Sequence, residues 1–249
     1  MKVVEVENYD EMSKVAAKTI IEKIKQEQNV VLGLATGGTP VGTYKQLVID
    51  YKEHMTSYKN VHTVNLDEYI GLKETDPTSY AYYMKEHLFN DINIPIVNTH
   101  IPSGEAVDTG KECEEYETLI DSLGGVDLQL LGIGENGHIG FNEPGTSFHS
   151  KTSVVKLSDT TRKANSIYFN GLEEVPTHAI SMGISTILKS KQILLLVSGK
   201  RKAEVLYRLL TEDIKEELPA SILRKHPNVT IVADFEALSI VNEKQLVLS

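Results

Sequence analysis

Residues 30–47, VVLGLATGGTPVGTYKQL, carry a short apolar run into a helix-period stretch through a Thr-Gly-Gly-Thr-Pro joint. The run Val30 to Leu34 reads as a strand buried in a sheet, and Thr39 as N-cap with Pro40 in the first turn opens a helix expected from Pro40 to Tyr51. The same alternation extends in both directions. Upstream, Val3 to Val6 reads as strand and about Asp10 to Gln28 as helix. Downstream come Val61 to Leu66 as strand, Ser79 to Phe89 and Thr109 to Ser122 as helices, and Asp127 to Leu131 as strand. Further strands are expected at Ser153 to Leu157, Ala179 to Met182, Gln192 to Val197 and Val229 to Ala233, with helices at Thr160 to Phe169, Gly183 to Lys189 and Lys200 to Leu210. This rhythm predicts an α/β fold: a doubly wound, mostly parallel sheet with helices on both faces, Rossmann-like in its layering. Ligands bind such sheets at the carboxyl ends of the strands.

The chain has 249 residues, 41% of them hydrophobic, which is enough for one large core. No linker, low-complexity run or fixed-period repeat divides it, so one domain over residues 1–249 is expected. The longest apolar run, Ile193 to Val197, is far shorter than the roughly 20 residues of a membrane helix. The opening MKVVEVENYDE turns acidic at once and lacks a signal core, and the single Cys113 excludes an intramolecular disulfide; a cytoplasmic location is expected. Cys113 lies in KECEEYE, whose carboxylates disfavour a thiolate, so an inert or surface thiol is expected. The formal net charge of −10 argues against nucleic acid or an acidic membrane as partner. A small anion remains possible where a few groups and helix N-termini converge.

Three segments carry candidate chemistry. In the first, Thr36, Gly37, Gly38 and Thr39 precede a helix, as an anion cradle does; an ordinary strand-to-helix turn would read the same. The Gly-Lys-Ser/Thr ending of a nucleotide P-loop is missing. In the second, Asp67 and Glu68 follow directly on a strand. One of them, partly desolvated, suits a general base for a carbon-bound proton, while a helix or turn cap is the alternative. The third is residues 132–144, GIGENGHIGFNEP, where Asn136, His138 and Glu143 share a glycine-rich loop behind a strand. Gly132, Gly134 and Gly137 satisfy the dinucleotide spacing, and Asp159 follows about twenty residues on. However, FNEPGTSFHSKTS breaks up where that motif needs a helix, so NAD is not indicated. His138 titrates in the range useful near neutrality, and Glu143 can orient it. The remaining histidines, at 54, 62, 87, 100, 149, 178 and 226, lack zinc-type spacing, and no metal site is expected. No Gly-x-Ser-x-Gly elbow is present. Arg162 in SDTTRKAN and Lys202 in LLLVSGKRKAEVL stand where side chains can reach a strand-end ligand, and with the cradle they point to a phosphorylated substrate.

Taken in order, LATGGTP, NLDEYIGL, GIGENGHIGFNEP, TTRKAN, SGKRKA and ASILRKHP closely resemble the glucosamine-6-phosphate deaminase family over nearly the whole chain. The resemblance implies conversion of glucosamine 6-phosphate and water to fructose 6-phosphate and ammonium, in amino-sugar catabolism, without metal or organic cofactor. It implies that Asp67 moves the C2 proton, that His138 opens the pyranose ring, and that Glu143 and Asn136 assist His138. Phosphate binding carries over to Thr36, Gly37, Gly38, Thr39, Arg162 and Lys202, and Glu68 matches a supporting acidic position. Residues about 145–175 would be a mobile lid. The implied partner is a small sugar phosphate.

Two departures from the family pattern matter. Some members have Asp-Gly-His where this chain has Asn136-Gly137-His138, so Glu143 is expected to supply the carboxylate beside His138. Hexameric relatives activated by N-acetylglucosamine 6-phosphate carry basic residues where this chain has Ser153 and Val155, and a longer tail after Asp234. A non-allosteric monomer or low-order homo-oligomer is therefore expected. The competing readings are a 6-phosphogluconolactonase-like hydrolase, which needs no carbon-acid base, and a sugar-phosphate sensor, which needs neither Asp67 nor His138.

Overall fold

The computed structural model describes residues 1–245. It opens with β1 (Lys2–Val6), α1 (Tyr9–Gln26), β2 (Val30–Leu34) and α2 (Val41–His54). Next come β3 (Val61–Asn65), β4 (Asp67–Tyr69), α3 (Tyr80–His87), β5 (Thr99–His100), α4 (Thr109–Ser122) and β6 (Leu128–Gly132). The remainder is β7 (Ser153–Lys156), α5 (Asp159–Asn165), β8 (His178–Ser181), α6 (Ile184–Leu188), β9 (Ile193–Val197), α7 (Ala203–Thr211), β10 (Val229–Asp234) and α8 (Ser239–Glu243). Caps start several of the helices: Asn8 accepts from the Glu11 N–H, Ser79 from Tyr82 and Asp108 from Lys111, each satisfying a donor the helix leaves open.

Seven strands pair in parallel in the order β1-β10-β9-β6-β2-β3-β5. From β2 the chain steps out through β3 to β5, then returns to the other side of β2 and continues through β6, β9 and β10. The direction of winding thus reverses between β2 and β6. Because all seven strands point the same way, the loops after β2, β3, β6 and β9 emerge together at that reversal, where doubly wound sheets bind ligands. Side chains alternate between two cores: Val30, Leu32 and Leu34 of β2 face the layer with Met12, Ile20 and Leu47, while Val31 faces Tyr116, Ile120 and Leu206. All five residues of β9 are buried, which accounts for its unbroken apolar sequence.

The doubly wound, mostly parallel sheet agrees with the sequence reading, with one correction. The runs at Ser153 and Ala179 do not join it. As β7 and β8 they form a separate antiparallel sheet with β4, in the order β4-β8-β7. Leu66 is the junction between the sheets: its N–H donates to Leu34 O at 3.1 Å, and its carbonyl accepts from Met182 N at 2.7 Å. A third cluster, Tyr69, Phe141, Leu157 and Ala179, packs beneath this small sheet. Boundaries also move. The helix expected to Phe169 ends at Asn165 and runs on as a 3-10 turn over Ser166–Tyr168, and that expected from Lys200 begins as a 3-10 turn before α7. The cap of α2 is Pro40, with no side-chain hydrogen bond, so the Thr39 hydroxyl is not the expected N-cap and stays free. Cys113 is buried, and its thiol is pushed up by desolvation first and by Glu112 next, so it is inert because it is covered.

Candidate active site

A cleft of about 700 Å³ opens at the reversal point, lined by the loops after β2, β3, β6 and β9 and by one side of α5. Thr36, Gly37, Gly38 and Thr39 form one wall. Gly37 has φ +89, a conformation natural to glycine. The Tyr83 hydroxyl donates to Gly37 O at 2.7 Å and the Tyr9 hydroxyl to Gly38 O at 3.1 Å. In a trans peptide the N–H points opposite the carbonyl, so these two bonds fix the direction of the Gly38 and Thr39 N–H groups. Neither N–H has an acceptor among the described residues. Two oriented, unspent donors and a free threonine hydroxyl ahead of α2 are what an oxyanion needs.

Asp67 and Glu68, which the local pattern does not distinguish and the family resemblance separates into base and supporting position, face opposite ways as successive residues of β4. Glu68 turns from the cleft. Its Oε1 accepts from Tyr69 N at 2.8 Å and Tyr80 N at 3.0 Å, and its Oε2 from Ala81 N at 2.9 Å, so it caps the start of α3. Asp67 lines the cleft, is 6% exposed, and its carboxylate has no hydrogen-bond partner among the described residues. Burial, then the neighbouring Glu68 charge, raise its pKa to about 8. A partnerless carboxylate in low dielectric is a strong base when ionised. Gly140, at φ +57, brings the next loop alongside, where a Cβ would be in ordinary contact with Asp67 Oδ2 at 3.5 Å.

The loop after β6 places His138 on the opposite wall. Its ring lies over Gly134, where a Cβ would come within 2.2 Å of ring Cε1, so only glycine fits. Gly134 N donates to His138 O at 2.9 Å, and Asn142 Nδ2 anchors the loop to Ile139 O and Met182 O, both at 2.9 Å. His138 Nδ1 stands 3.8 Å from Glu143 Oε2. Desolvation lowers the imidazole pKa, Glu143 opposes that shift, and Lys202 adds to it, so the surroundings favour the neutral ring. Asn136 Nδ2 donates to Glu143 Oε2 at 2.7 Å while its Oδ1 accepts from His138 N at 3.2 Å. An aspartate here would set a second carboxylate against Glu143; the amide supplies a donor instead. Glu143 Oε1 accepts from Ser158 Oγ at 3.0 Å and from the Thr161 hydroxyl, the first the N-cap of α5 and the second in its first turn.

Lys202 lines the cleft, and burial pulls its ammonium below the usual lysine range, with Glu135 opposing. Asp234, at the end of β10, accepts from the Ser198 hydroxyl and from Gly199 N at 3.1 Å, fixing the turn that carries Lys202. Arg162 does not line the cleft. Its Nε and Nη2 donate to Val175 O at 3.2 and 2.9 Å and Nη2 to Leu172 O at 2.9 Å, bracing the segment after α5. Arg201, Tyr80 and Thr161 do line it and were not singled out from sequence. Arg201 adjoins Lys202 and was open to the same reasoning, whereas Tyr80 and Thr161 carry no local signal. Among the described residues no cluster of three or more His, Cys, Asp or Glu side chains suits a metal ion, and no helix is long and apolar enough to cross a membrane.

An anion cradle, a desolvated carboxylate and a histidine facing a second carboxylate at the reversal point of a doubly wound sheet define a class of α/β proteins acting on small phosphorylated ligands. Residues 5–232 match the glucosamine-6-phosphate isomerases/6-phosphogluconolactonase family, and the chain belongs to it. Within it, the chain is 56% identical to glucosamine-6-phosphate deaminase of Geobacillus sp. (strain WCH70) over 98% of both chains. It is 52% identical to glucosamine-6-phosphate deaminase 1 of Bacillus subtilis (strain 168), covering 96% of this chain and 99% of that one. The solved structure of a monomeric glucosamine-6-phosphate deaminase superposes with a TM-score of 0.95 at 52% identity, over 96% of this chain and all of that one. A 6-phosphogluconolactonase from Thermotoga maritima gives a TM-score of 0.74 at 22% identity, over 94% of this chain and 99% of that one, a likeness of fold alone. The family expected from the six motifs is the family found.

Proposed function

We propose that this chain is a glucosamine-6-phosphate deaminase, releasing fructose 6-phosphate and ammonium from glucosamine 6-phosphate and water. The observation that carries the reading is Asp67: buried on the cleft wall, unpaired, and raised to a pKa of about 8. Lactone hydrolysis has no use for such a carbon base. The high-identity relatives support the same reading.

In this assignment the phosphate sits on the Gly38 and Thr39 N–H groups, the hydroxyls of Thr36 and Thr39, and Lys202. Neutral His138 takes the proton of the anomeric hydroxyl and returns it to the ring oxygen, opening the pyranose to the aldehyde. Glu143 steadies the imidazolium formed on the way. The protonated amine on C2 then favours ionised Asp67. Asp67 removes the C2 proton while an ammonium proton passes to the C1 oxygen, giving an enolamine across C1 and C2, and Asp67 then delivers its proton to C1. Water adds to the resulting imine at C2, the C–N bond breaks, and ammonium leaves. Residues 145–175 act as a lid over the cleft in this reading. Its closure moves Arg162, the neighbour of Thr161 on the cleft wall, from the Leu172 and Val175 carbonyls to the phosphate.

The test is to follow ammonium and fructose 6-phosphate from glucosamine 6-phosphate in parallel, for wild type and Asp67→Asn, without added metal or nucleotide. Matched products that disappear in the variant are expected. Binding of the sugar phosphate without either product would favour a sensor, and hydrolysis of 6-phosphogluconolactone in its place would favour the lactonase.

A further inference from the structure

Glu143 is held at both ends. Its Oε2 accepts from Asn136 and faces His138 Nδ1 at 3.8 Å, within one loop. Its Oε1 is held from another element, by Ser158 Oγ at 3.0 Å and by the Thr161 hydroxyl. That carboxylate is the only acceptor of the Thr161 hydroxyl among the described residues, and Thr161 is buried at 6% exposure. Ser158 also caps α5, accepting from Thr161 N at 3.1 Å, which couples the position of the helix to the direction of both hydroxyls. A glutamate has three rotatable side-chain bonds, and one contact at Oε2 does not fix its plane. Two hydroxyls at the far oxygen do.

We infer that Thr161 and Ser158 are positioning residues for ring opening: through Glu143 Oε1 they aim Oε2 at His138, so the carboxylate is set only while the first turn of α5 is seated against it. The inference rests on the deaminase reading. It adds a role to two hydroxyls that touch neither His138 nor the cradle, and it makes the seating of α5 a condition for the first chemical step. When α5 lifts, Glu143 loses both hydroxyls together and the imidazole loses an aligned partner.

The experiment compares Thr161→Val, which keeps shape and loses the hydroxyl, with Thr161→Ser, which restores it, and with Ser158→Ala. Two readouts are taken: kcat on glucosamine 6-phosphate, and the inhibition constant of 2-amino-2-deoxyglucitol 6-phosphate, which is already open and needs no help from His138. The expected result is a kcat lower by roughly 10- to 100-fold in Thr161→Val, the size of a misaligned catalytic group. The open-chain inhibitor should bind as in wild type, Thr161→Ser should recover most of kcat, and Ser158→Ala should fall between. An unchanged kcat, inhibitor affinity lost in step with kcat, or failure of serine to rescue would each overturn the inference. If Thr161→Val melts early, Ser158→Ala decides by the same two readouts. Wild type inactive on glucosamine 6-phosphate would instead overturn the deaminase reading, so the two failures are separate.

Discussion

Asp67 is in the wrong place for stability and the right place for a base. Its folded pKa of about 8 lies above the ordinary 3.8, so the native state disfavours the charged form. The resulting penalty is absent below the unfolded value, grows by about 1.4 kcal/mol per pH unit above it, and is complete above the folded value. Asp67→Asn should therefore melt higher than wild type, by more at pH 8.5 than at pH 5, while losing about 10³-fold or more in kcat. Equal melting temperatures at both pH values would mean that the carboxylate is solvated. Glu68 supplies the second cause of that raised pKa and also receives three backbone N–H groups. Glu68→Gln should move the acid limb of kcat/KM, expected near pH 8 in the free enzyme, to lower pH. It should also destabilise the fold by about 1–3 kcal/mol through the lost acceptor. A pH–rate profile and a denaturant titration separate the two effects, and an unmoved limb would remove Glu68 as an influence on Asp67.

At the level of elements, what could be read from sequence was whatever local patterning dictates. The core strands β2, β6, β9 and β10 are buried on both faces and therefore announce themselves as apolar runs. The small sheet did not announce itself. β4 is three residues, Asp67 to Tyr69, separated from β3 by Leu66 alone, and its partner β8 lies far along the chain. No window around it holds a period, and its pairing with the distant β8, over the Tyr69 and Phe141 cluster, makes it a strand. The same limit kept the local pattern from separating Asp67 from Glu68, which the family resemblance alone told apart, because the difference depends on which face of β4 meets the cleft. Arg162 illustrates the converse: its position in the chain suggested a ligand contact, and the bonds of its guanidinium belong to the segment after α5. If that segment closes over the substrate, Arg162→Ala should raise KM about tenfold with kcat nearly unchanged, the signature of lost uniform binding. An unaltered KM would leave Arg162 as a brace alone.

Seen whole, the protein carries a formal net charge of −10 and still gathers Lys202, Arg201 and two unspent backbone N–H groups at one cleft. The long-range field therefore does little to attract a phosphate; local geometry must do it, and a doubly wound sheet provides that geometry by bringing four loop ends together. In β7, Ser153 is exposed and Val155 packs toward the Tyr69 and Leu157 cluster, so neither offers charge to a second phosphate. Saturation by glucosamine 6-phosphate should accordingly be hyperbolic and unchanged by N-acetylglucosamine 6-phosphate, and sigmoidal curves relieved by that compound would reveal a second site. The shared grip of Asn136, Ser158 and Thr161 on Glu143 has a chemical consequence beyond rate. An opened amino sugar is a free aldehyde, able to condense with any lysine it meets. If His138 and Glu143 open the ring as proposed, tying Glu143 to a helix of the cleft wall would make the aldehyde form inside the cleft, beside Asp67, rather than where it could glycate a lysine elsewhere.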